Sequence, residues 1–438
     1  MTRPPAYMKI NLSNPDQFLS GEFKLYYQIY QNQIQQIKQL QQTSGRTAKS
    51  QARIDALIEA KEHNAVLLYD IVKAIRPRVN LDYLFSQSNF DTGRGSNNTY
   101  AYLKDFRYLR RDWCGLPAGE KQVEVIAGAL KAQCAKHAVD LEAALFLGAG
   151  LGRIAFEHND LFKKVYALDK SFSMVHHFNR LLQGDITFYE INELNIMKPE
   201  DATQQHPASL NYASPEALAH KDRFEYFVGD AMALSFAKHS LSCITSVFFT
   251  DVIALKLYLE EVKRVLKPGG LYIHFGPLDY FFSDRSEMLS AEEIKDDFVA
   301  NGFETVHEEM IELPHMSSEL FMSKRVYRNW FFVARKVSEV VGQFDPKAVY
   351  EINPPIYLQE KRLLGSEEVV EKELVNDQGE AFAGAGSIES LLAFLNGKDT
   401  MEVVLEKIRQ DYDLETKDVE QIRGIFEMLF EKKFIQRQ

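Results

Sequence analysis

"ALFLGAGLGRIAFE", residues 144–157, is an apolar run that breaks at Gly148, Gly150 and Gly152 and then resumes. A strand, a glycine turn and a helix in that order form the opening unit of an α/β nucleotide-type site. Outward from it, the chain alternates strand and helix. "KVYALD" reads as a second strand and "SFSMVHHFNRLL" as a helix with Ser171 at its N-cap. "FEYFVGD" and "LSCITSVFFTD" read as further strands. "IALKLYLEEVKRVLKPGG" reads as a helix stopped by Pro268 and Gly269, with strand "LYIHFG" after it. This βαβ rhythm predicts an α/β, Rossmann-like doubly wound sheet with ligands at the carboxyl ends of its strands. Residues 184–222, with Pro199, Pro207 and Pro215, read as an insertion near that edge.

Upstream, Phe23, Tyr26, Tyr27, Tyr30, Ile34, Ile37 and Leu40 recur at three- and four-residue steps, and Ile54, Leu57 and Ile58 continue the helical period. Residues 1–139 therefore read as a helical region, 140–340 as the core. "SQSNFDTGRGSNNTY" (86–100) reads as a polar loop, and "VSEVVGQFDPK" as a linker to a small α+β unit over 345–438. In that unit "PPIYLQEKRLL" and "EEVVEKELV" read as paired strands. Two amphipathic helices follow, with Met401, Val404, Leu405 and Ile408 on one face and Val419, Ile422, Ile425, Phe426 and Leu429 on the other.

Composition narrows the function. The 438 residues are 45% hydrophobic with net charge −11, which argues against general nucleic-acid binding. Cys114, Cys134 and Cys243 form no metal-ligand spacing and no disulfide framework, which suits a reducing, cytoplasmic compartment. The first residues lack the apolar core of a signal peptide, and no apolar stretch approaches the roughly 20 residues of a membrane span.

A dinucleotide loop needs G-x-G-x-x-G, and here Arg153 stands at the third glycine's place, with Gly152 one residue early. That spacing favours S-adenosylmethionine (SAM), which has no phosphate, over NAD. Asp169 at the end of "VYALD" suits ribose hydroxyls. Asp230, followed by Ala231, suits an adenine edge. Ordinary turn glycines and strand-end caps are the competing explanation.

With "FLGAGLGRIAFE" joined to "LDKSFSMVHHFNRLL", "CITSVFFTDVI", "LKPGGLYIHFGPLDYFF" and "YRNWFFVARK", and with "YLRRDW" ahead of them, the chain resembles the carnosine N-methyltransferase family from about residue 60 to 336. The resemblance implies a SAM-dependent methyltransferase acting on an imidazole nitrogen of a small histidine derivative or a histidine-containing peptide. It implies that Arg111 pairs with the SAM carboxylate, that Gly148, Gly150 and Gly152 line the cofactor, that Asp169 binds ribose, and that Asp230 and Ala231 flank adenine. Asp251 of "FFTD" matches the substrate acid, and Tyr327 of "VYRNW" a substrate-side tyrosine, with Tyr280 of "GPLDY" beside them. Two positions depart. Phe281 stands where the family has a histidine, and Arg325 where it has a tyrosine, so the acceptor pocket differs; methylation of another nitrogen or oxygen acceptor, or a non-catalytic SAM- or peptide-binding adaptor, is the alternative.

Read from its own chemistry, an aspartate in this place holds an imidazole N–H, fixes the tautomer and steadies the developing positive charge. The alternative is a helix N-cap for "VIALKLYLEEV". Arg111 has the alternative of a solvated helix charge. His176, His177 and His274 read as packing or surface residues, and Trp113 and Trp330 as core anchors. "LNGKDT", the "YDL" turn and two helices resemble PqqD-like domains that bind leader peptides. A helix pair beside an open strand edge takes a peptide as an added strand. A dimerisation or lid module, which would make a homodimer, and a DNA-binding winged helix are the alternatives, the last disfavoured by the acidic run "GSEEVVEKE".

Overall fold

Short apolar runs, buried on both faces, form the central parallel strands of the first unit. The structure is a computed structural model describing residues 9–80, 98–318, 321–337, 344–353, 355–362, 369–376, 381–383 and 385–437. Most of the polar loop at 86–100 and of the linker after 337 lies outside the described residues. The chain divides into two units, Met1–Glu339 and Val340–Gln438.

In the first unit, β1 (Ile10–Asn11) leads into two long helices, α1 (Pro15–Gln41) and α2 (Ala48–Ile75). A capping box of Thr47 and Ser50 starts α2. Helices α3 (Asn98–Trp113) and α4 (Pro117–His137) follow. Then come β2 (Ala143–Leu147), β3 (Lys164–Asp169), α5 (Phe172–Leu181), the hairpin β4 (Ile186–Ile191) and β5 (Thr203–Ala208), and β6 (Phe224–Gly229). The unit closes with β7 (Leu241–Val247), α6 (Leu259–Val265), β8 (Leu266–Gly276), α7 (Ala291–Ala300), β9 (Phe303–His315) and β10 (Arg325–Lys336).

The main sheet runs β1-β6-β3-β2-β7-β8-β10-β9. Strands β6-β3-β2-β7-β8 are parallel and repeat the 3-2-1-4-5 order of the doubly wound fold, with the switch point between β2 and β7. Beyond β8 the chain adds an antiparallel hairpin, β9–β10, in place of a sixth parallel strand. Successive side chains of a strand point to opposite faces. Phe146, Val165, Ala167, Ile273 and Phe331 therefore join Leu25, Ile29, Ile126 and Leu130 of the helical region in one core. Leu145, Leu147, Leu168, Ile244 and Phe332 join α6 and α7 on the other face. The helical region thus shares its core with the sheet.

Several expectations shift. On α1 the buried stripe is Leu19, Leu25, Tyr26, Ile29, Gln33 and Ile37, with Phe23 and Tyr30 packed at its margin, while Tyr27 of the expected period is exposed. The helix expected over 253–270 is a 3-10 turn (Leu255–Leu257) and the short α6; β8 starts at Leu266 because the residue before Pro268 is pushed out of the helical region. Ser171 holds the N-cap place of α5 without a side-chain cap bond; the Phe172 N–H is taken at 3.3 Å by Glu22 of α1. The insertion folds as the β4–β5 hairpin against α2 and α3. Asn64 of α2 grips its edge, donating to the Tyr189 carbonyl (2.8 Å) and accepting the Tyr189 N–H (2.9 Å). Cys134 and Cys243, 109 residues apart, meet as buried thiols at 3.8 Å.

In the second unit, β11 (Tyr350–Ile352) pairs with β15 (Ile435–Arg437), and β12 (Ile356–Arg362), β13 (Val369–Asn376) and β14 (Ala381–Ala383) form an antiparallel sheet in that order. Helices α8 (Ala385–Leu392), α9 (Met401–Asp411) and α10 (Thr416–Glu431) follow. Met401, Val404, Leu405, Ile408, Phe426 and Leu429 centre its own core, with Val419, Ile422 and Ile425 partly buried at its margin.

Candidate active site

The glycine turn sits at the carboxyl end of β2. Gly148, Gly150 and Gly152 all have positive φ (57°, 59° and 76°), which side-chain-bearing residues adopt at a cost. The turn is held by its backbone: Ala149 N–H donates to the Leu168 carbonyl and Gly152 N–H to the Ala149 carbonyl, both at 2.9 Å. Further side-chain ties hold the turn. Asp169 Oδ2 accepts the Gly150 N–H (2.9 Å) and Oδ1 the Ser171 N–H (2.8 Å). The Tyr226 hydroxyl donates to the Gly150 carbonyl. Burial and the Asp169 charge push that phenol well up, so it stays protonated.

Arg153 explains the missing third glycine. Its guanidinium is buried and fully engaged, by Glu157 (2.7 Å), Glu120 (2.9 Å) and the carbonyls of Asp112 (2.5 Å) and Tyr212 (2.6 Å). It also lies 5.2 Å from the Trp113 ring. The first turn after the glycines is thus anchored to protein carboxylates, where a dinucleotide loop would hold a pyrophosphate. A cavity of about 350 Å³ beside Arg153, lined by Glu120, Glu157 and Tyr212 among others, contains none of the expected site residues.

Arg111 is buried and pairs side-on with Asp112 (2.5 and 2.9 Å). It lies 5.0 Å from the ring of Tyr108, whose edge stands 3.9 Å from where a Cβ of Gly150 would be. Arg111 is therefore no solvated charge; it reaches the glycine turn through Tyr108. Asp230 follows β6, with Oδ1 accepting the Met232 N–H (3.0 Å) and Oδ2 the Lys170 ammonium (2.9 Å), and Ala231 buried beside it. A carboxylate oxygen accepts more than one hydrogen bond, so these ties leave Asp169 and Asp230 chemically fit for ribose and adenine.

Asp251 comes to the same edge from β7. The ring of Phe249 covers Gly148: a Cβ there would lie 2.3 Å from Phe249 Cδ2. Asp251 is buried, and its carbonyl accepts the Phe281 N–H (2.9 Å). No helix starts at 252; the turn closes by Val252 N–H to the Phe249 carbonyl (2.9 Å), so the N-cap explanation of Asp251 falls away. Thr250 turns inward to Ser246 (2.8 Å) and His274 Nδ1 (2.9 Å).

The remaining acceptor-side residues separate. The Tyr280 hydroxyl donates to the Leu289 carbonyl (2.5 Å), and burial with the Asp251 charge pushes it up to about 12. Phe281 contributes its backbone tie, while its ring is 72% exposed. Tyr327 and Arg325 stand at the start of β10, which runs antiparallel to β8 and so reaches the same edge. Arg325 donates to the Tyr327 hydroxyl (3.0 Å). The His315 ring packs at a tilt against Tyr327 (4.7 Å between ring centres, 45°) and against Phe248 (5.0 Å, 58°).

Burial holds His274 and His176 down to about 4 and His177 to about 3, as packing groups. Trp113 donates to the Leu151 carbonyl (2.9 Å) and Trp330 to Glu308 (3.0 Å), both buried. Among the described residues no His/Cys/Asp/Glu group is arranged to hold a metal, and no helix is long and apolar enough to cross a membrane. Sequence reading did not single out Tyr108, Tyr226 or His315. The alternation of "FEYFVGD" was the available signal for Tyr226; the other two are brought in by tertiary packing.

The family described as carnosine N-methyltransferase matches residues 97–338. The carnosine N-methyltransferases of Rattus norvegicus and Mus musculus are each 27% identical, covering 65% of this chain and 75% of theirs. Among solved structures, magnesium protoporphyrin IX methyltransferase from Synechocystis with bound S-adenosylhomocysteine (SAH) is 12% identical over 54% of this chain and 94% of that one, with a TM-score of 0.35.

Proposed function

The chain belongs to the carnosine N-methyltransferase family and is a SAM-dependent methyltransferase, and from that premise we propose that it methylates an imidazole nitrogen of a histidine-containing acceptor. The observation that carries the proposal is the seating of Phe249 on Gly148, two residues ahead of Asp251. It puts the loop bearing the candidate substrate acid over the cofactor turn.

The residues present suit the cofactor: a left-handed glycine turn at the end of the first core strand, a ribose-side carboxylate fixed by two N–H groups, and an arginine backed by an aromatic ring. Arg111 would take the amino-acid carboxylate, Asp169 the ribose and Asp230 with Ala231 the adenine. Bound SAM supplies a methyl group on a sulfonium. Asp251 would accept the N–H of a neutral imidazole, which leaves the other ring nitrogen bare and aimed. The Asp251 carboxylate would stabilise the positive charge that develops on the ring when its bare nitrogen is methylated. The N–H proton stays against Asp251 until solvent removes it. Tyr280 and Tyr327 would line this pocket, Tyr280 as a proton-bearing wall at neutral pH.

The acceptor is a small histidine derivative or a peptidyl histidine. The second unit supports a peptide reading: β12, β13 and β14 are followed by three helices, and among the described residues β12 pairs with β13 alone, an edge of the kind that takes a peptide as an added strand. Titration with SAH, followed by mass analysis of histidine-containing acceptors, tests the proposal. SAH binding with no methyl gained by any imidazole compound or histidyl peptide overturns the acceptor assignment.

A further inference from the structure

Arg325 and Tyr327 are two residues apart on β10 and so share a face. Arg325 Nη1 donates to the Tyr327 hydroxyl at 3.0 Å, and its guanidinium carbon lies 5.7 Å from the centre of that ring. The Tyr327 hydroxyl is 3.5 Å from Asp279 Oδ2 on its other side. The phenol therefore stands between the cation and the nearby anion. Among the described residues that hydroxyl is the polar partner of Arg325, which leaves most of the five guanidinium donors to an incoming group.

The base of this arginine is packed. Tyr327 meets the His315 ring at a tilt of 45°, and His315 meets Phe248 at 58°. Phe248 has a left-handed φ of 54°, and its N–H is bonded to the Phe275 carbonyl (2.9 Å). Three residues later in the chain comes Asp251. A row of three rings thus connects the guanidinium to the strand end that presents the candidate imidazole partner. A planar guanidinium held in this way matches a carboxylate with two parallel hydrogen bonds.

We infer that Arg325 clamps a carboxylate of the methyl acceptor, so that the acceptor bears an anionic group beside its imidazole. The inference rests on the imidazole reading above and adds the substrate class. The carboxylate can belong to a small histidine derivative or to an acidic side chain next to histidine in a peptide. Asp279, across the tyrosine hydroxyl, repels a second anion from the same corner.

The test compares N-acetylhistidine with its amide, and capped peptides containing His-Asp with the same peptides containing His-Asn, on wild type, Arg325→Gln and Arg325→Lys. Arg325 is exposed, so these variants keep the fold, which a thermal melt verifies. Loss of the carboxylate should raise the wild-type KM about tenfold or more, the size of one charge-assisted hydrogen bond, with a smaller change in kcat. Arg325→Gln should abolish that discrimination and Arg325→Lys keep part of it. The series that shows the effect identifies the source. Calorimetry of the acids on SAH-loaded protein reads the clamp separately from turnover. Binding that weakens in Arg325→Gln, with no methyl transferred to any imidazole, upholds the clamp and overturns the imidazole reading. Equal use and equal binding of acids and amides by wild type overturns the clamp.

Discussion

The ring of Phe249 occupies the space a side chain at Gly148 would need, with 2.3 Å between a built Cβ and Phe249 Cδ2. The turn after β2 and the loop after β7 are thereby one packed piece. The first carries the candidate cofactor residues and the second the candidate substrate acid, Asp251. Gly148→Ala imposes left-handed backbone on a side chain, about 1–2 kcal/mol, and also forces the ring aside. SAH affinity should fall and the melting temperature drop by a few degrees, as read by calorimetry and a thermal melt; unchanged affinity would separate the two loops.

Asp251→Asn removes the charge and keeps the shape. Turnover of a histidine-containing acceptor should fall roughly 10²–10³-fold, the usual effect of losing one electrostatic stabiliser, with SAH affinity nearly intact. Parallel kinetics and calorimetry check this, and undiminished turnover takes Asp251 out of the chemistry.

Arg153 is buried among Glu157, Glu120 and two main-chain carbonyls. Arg153→Met leaves Glu157 buried without its cation, which costs about 3–5 kcal/mol. Denaturant unfolding should show that loss, and a midpoint within error of wild type would contradict the anchoring role.

Gly128, within α4, has open space where a Cβ would go and no positive φ. Gly128→Ala should stabilise by about 0.5–1 kcal/mol, since alanine loses less backbone entropy on entering a helix. A lower midpoint in urea would show that the helix face is not open there.

Burial holds His158, His176 and His274 down to about 4 and His177 to about 3. An unfolded imidazole titrates near 6.5. From about pH 6.5 down to 4 the unfolded chain therefore binds protons that the folded chain refuses. Stability is fully present above 6.5 and declines as pH falls through this window. Melting temperatures measured from about pH 7.5 to 5 should decrease; a flat profile would mean that these rings take up protons in the fold as readily as in the unfolded chain.

The parallel strands were legible because each is a short apolar run ending at glycine or aspartate, and the turn at Gly148–Gly152 announced itself by spacing. Asp251 was legible as a strand-end acid, but its two explanations were separable only once β7 was seen to end in a turn instead of a helix. The start of β8 was misplaced because "EEVKRVL" keeps a helical period up to the residue where Pro268 forbids it. Contacts across long sequence separations left no local trace. Glu22 caps α5 from 150 residues away. Arg110 of α3 reaches the Met316 and Ser317 carbonyls (2.8 and 2.6 Å) beyond β9 and pairs with Glu190 (3.1 Å) of the hairpin. These residues look like ordinary surface charges until the layers are assembled.

Asn64 meets the outward N–H and carbonyl of Tyr189 with one carboxamide, as a neighbouring strand would. A helix has thereby been made to impersonate a strand at the rim of β4. At that residue the rim offers nothing for a second polypeptide to zip onto, so self-recruitment along it is blocked without a charge or a proline. Aspartate at 64 would preserve the acceptor and turn an oxygen toward the Tyr189 carbonyl, reopening the rim by a change of a single atom type.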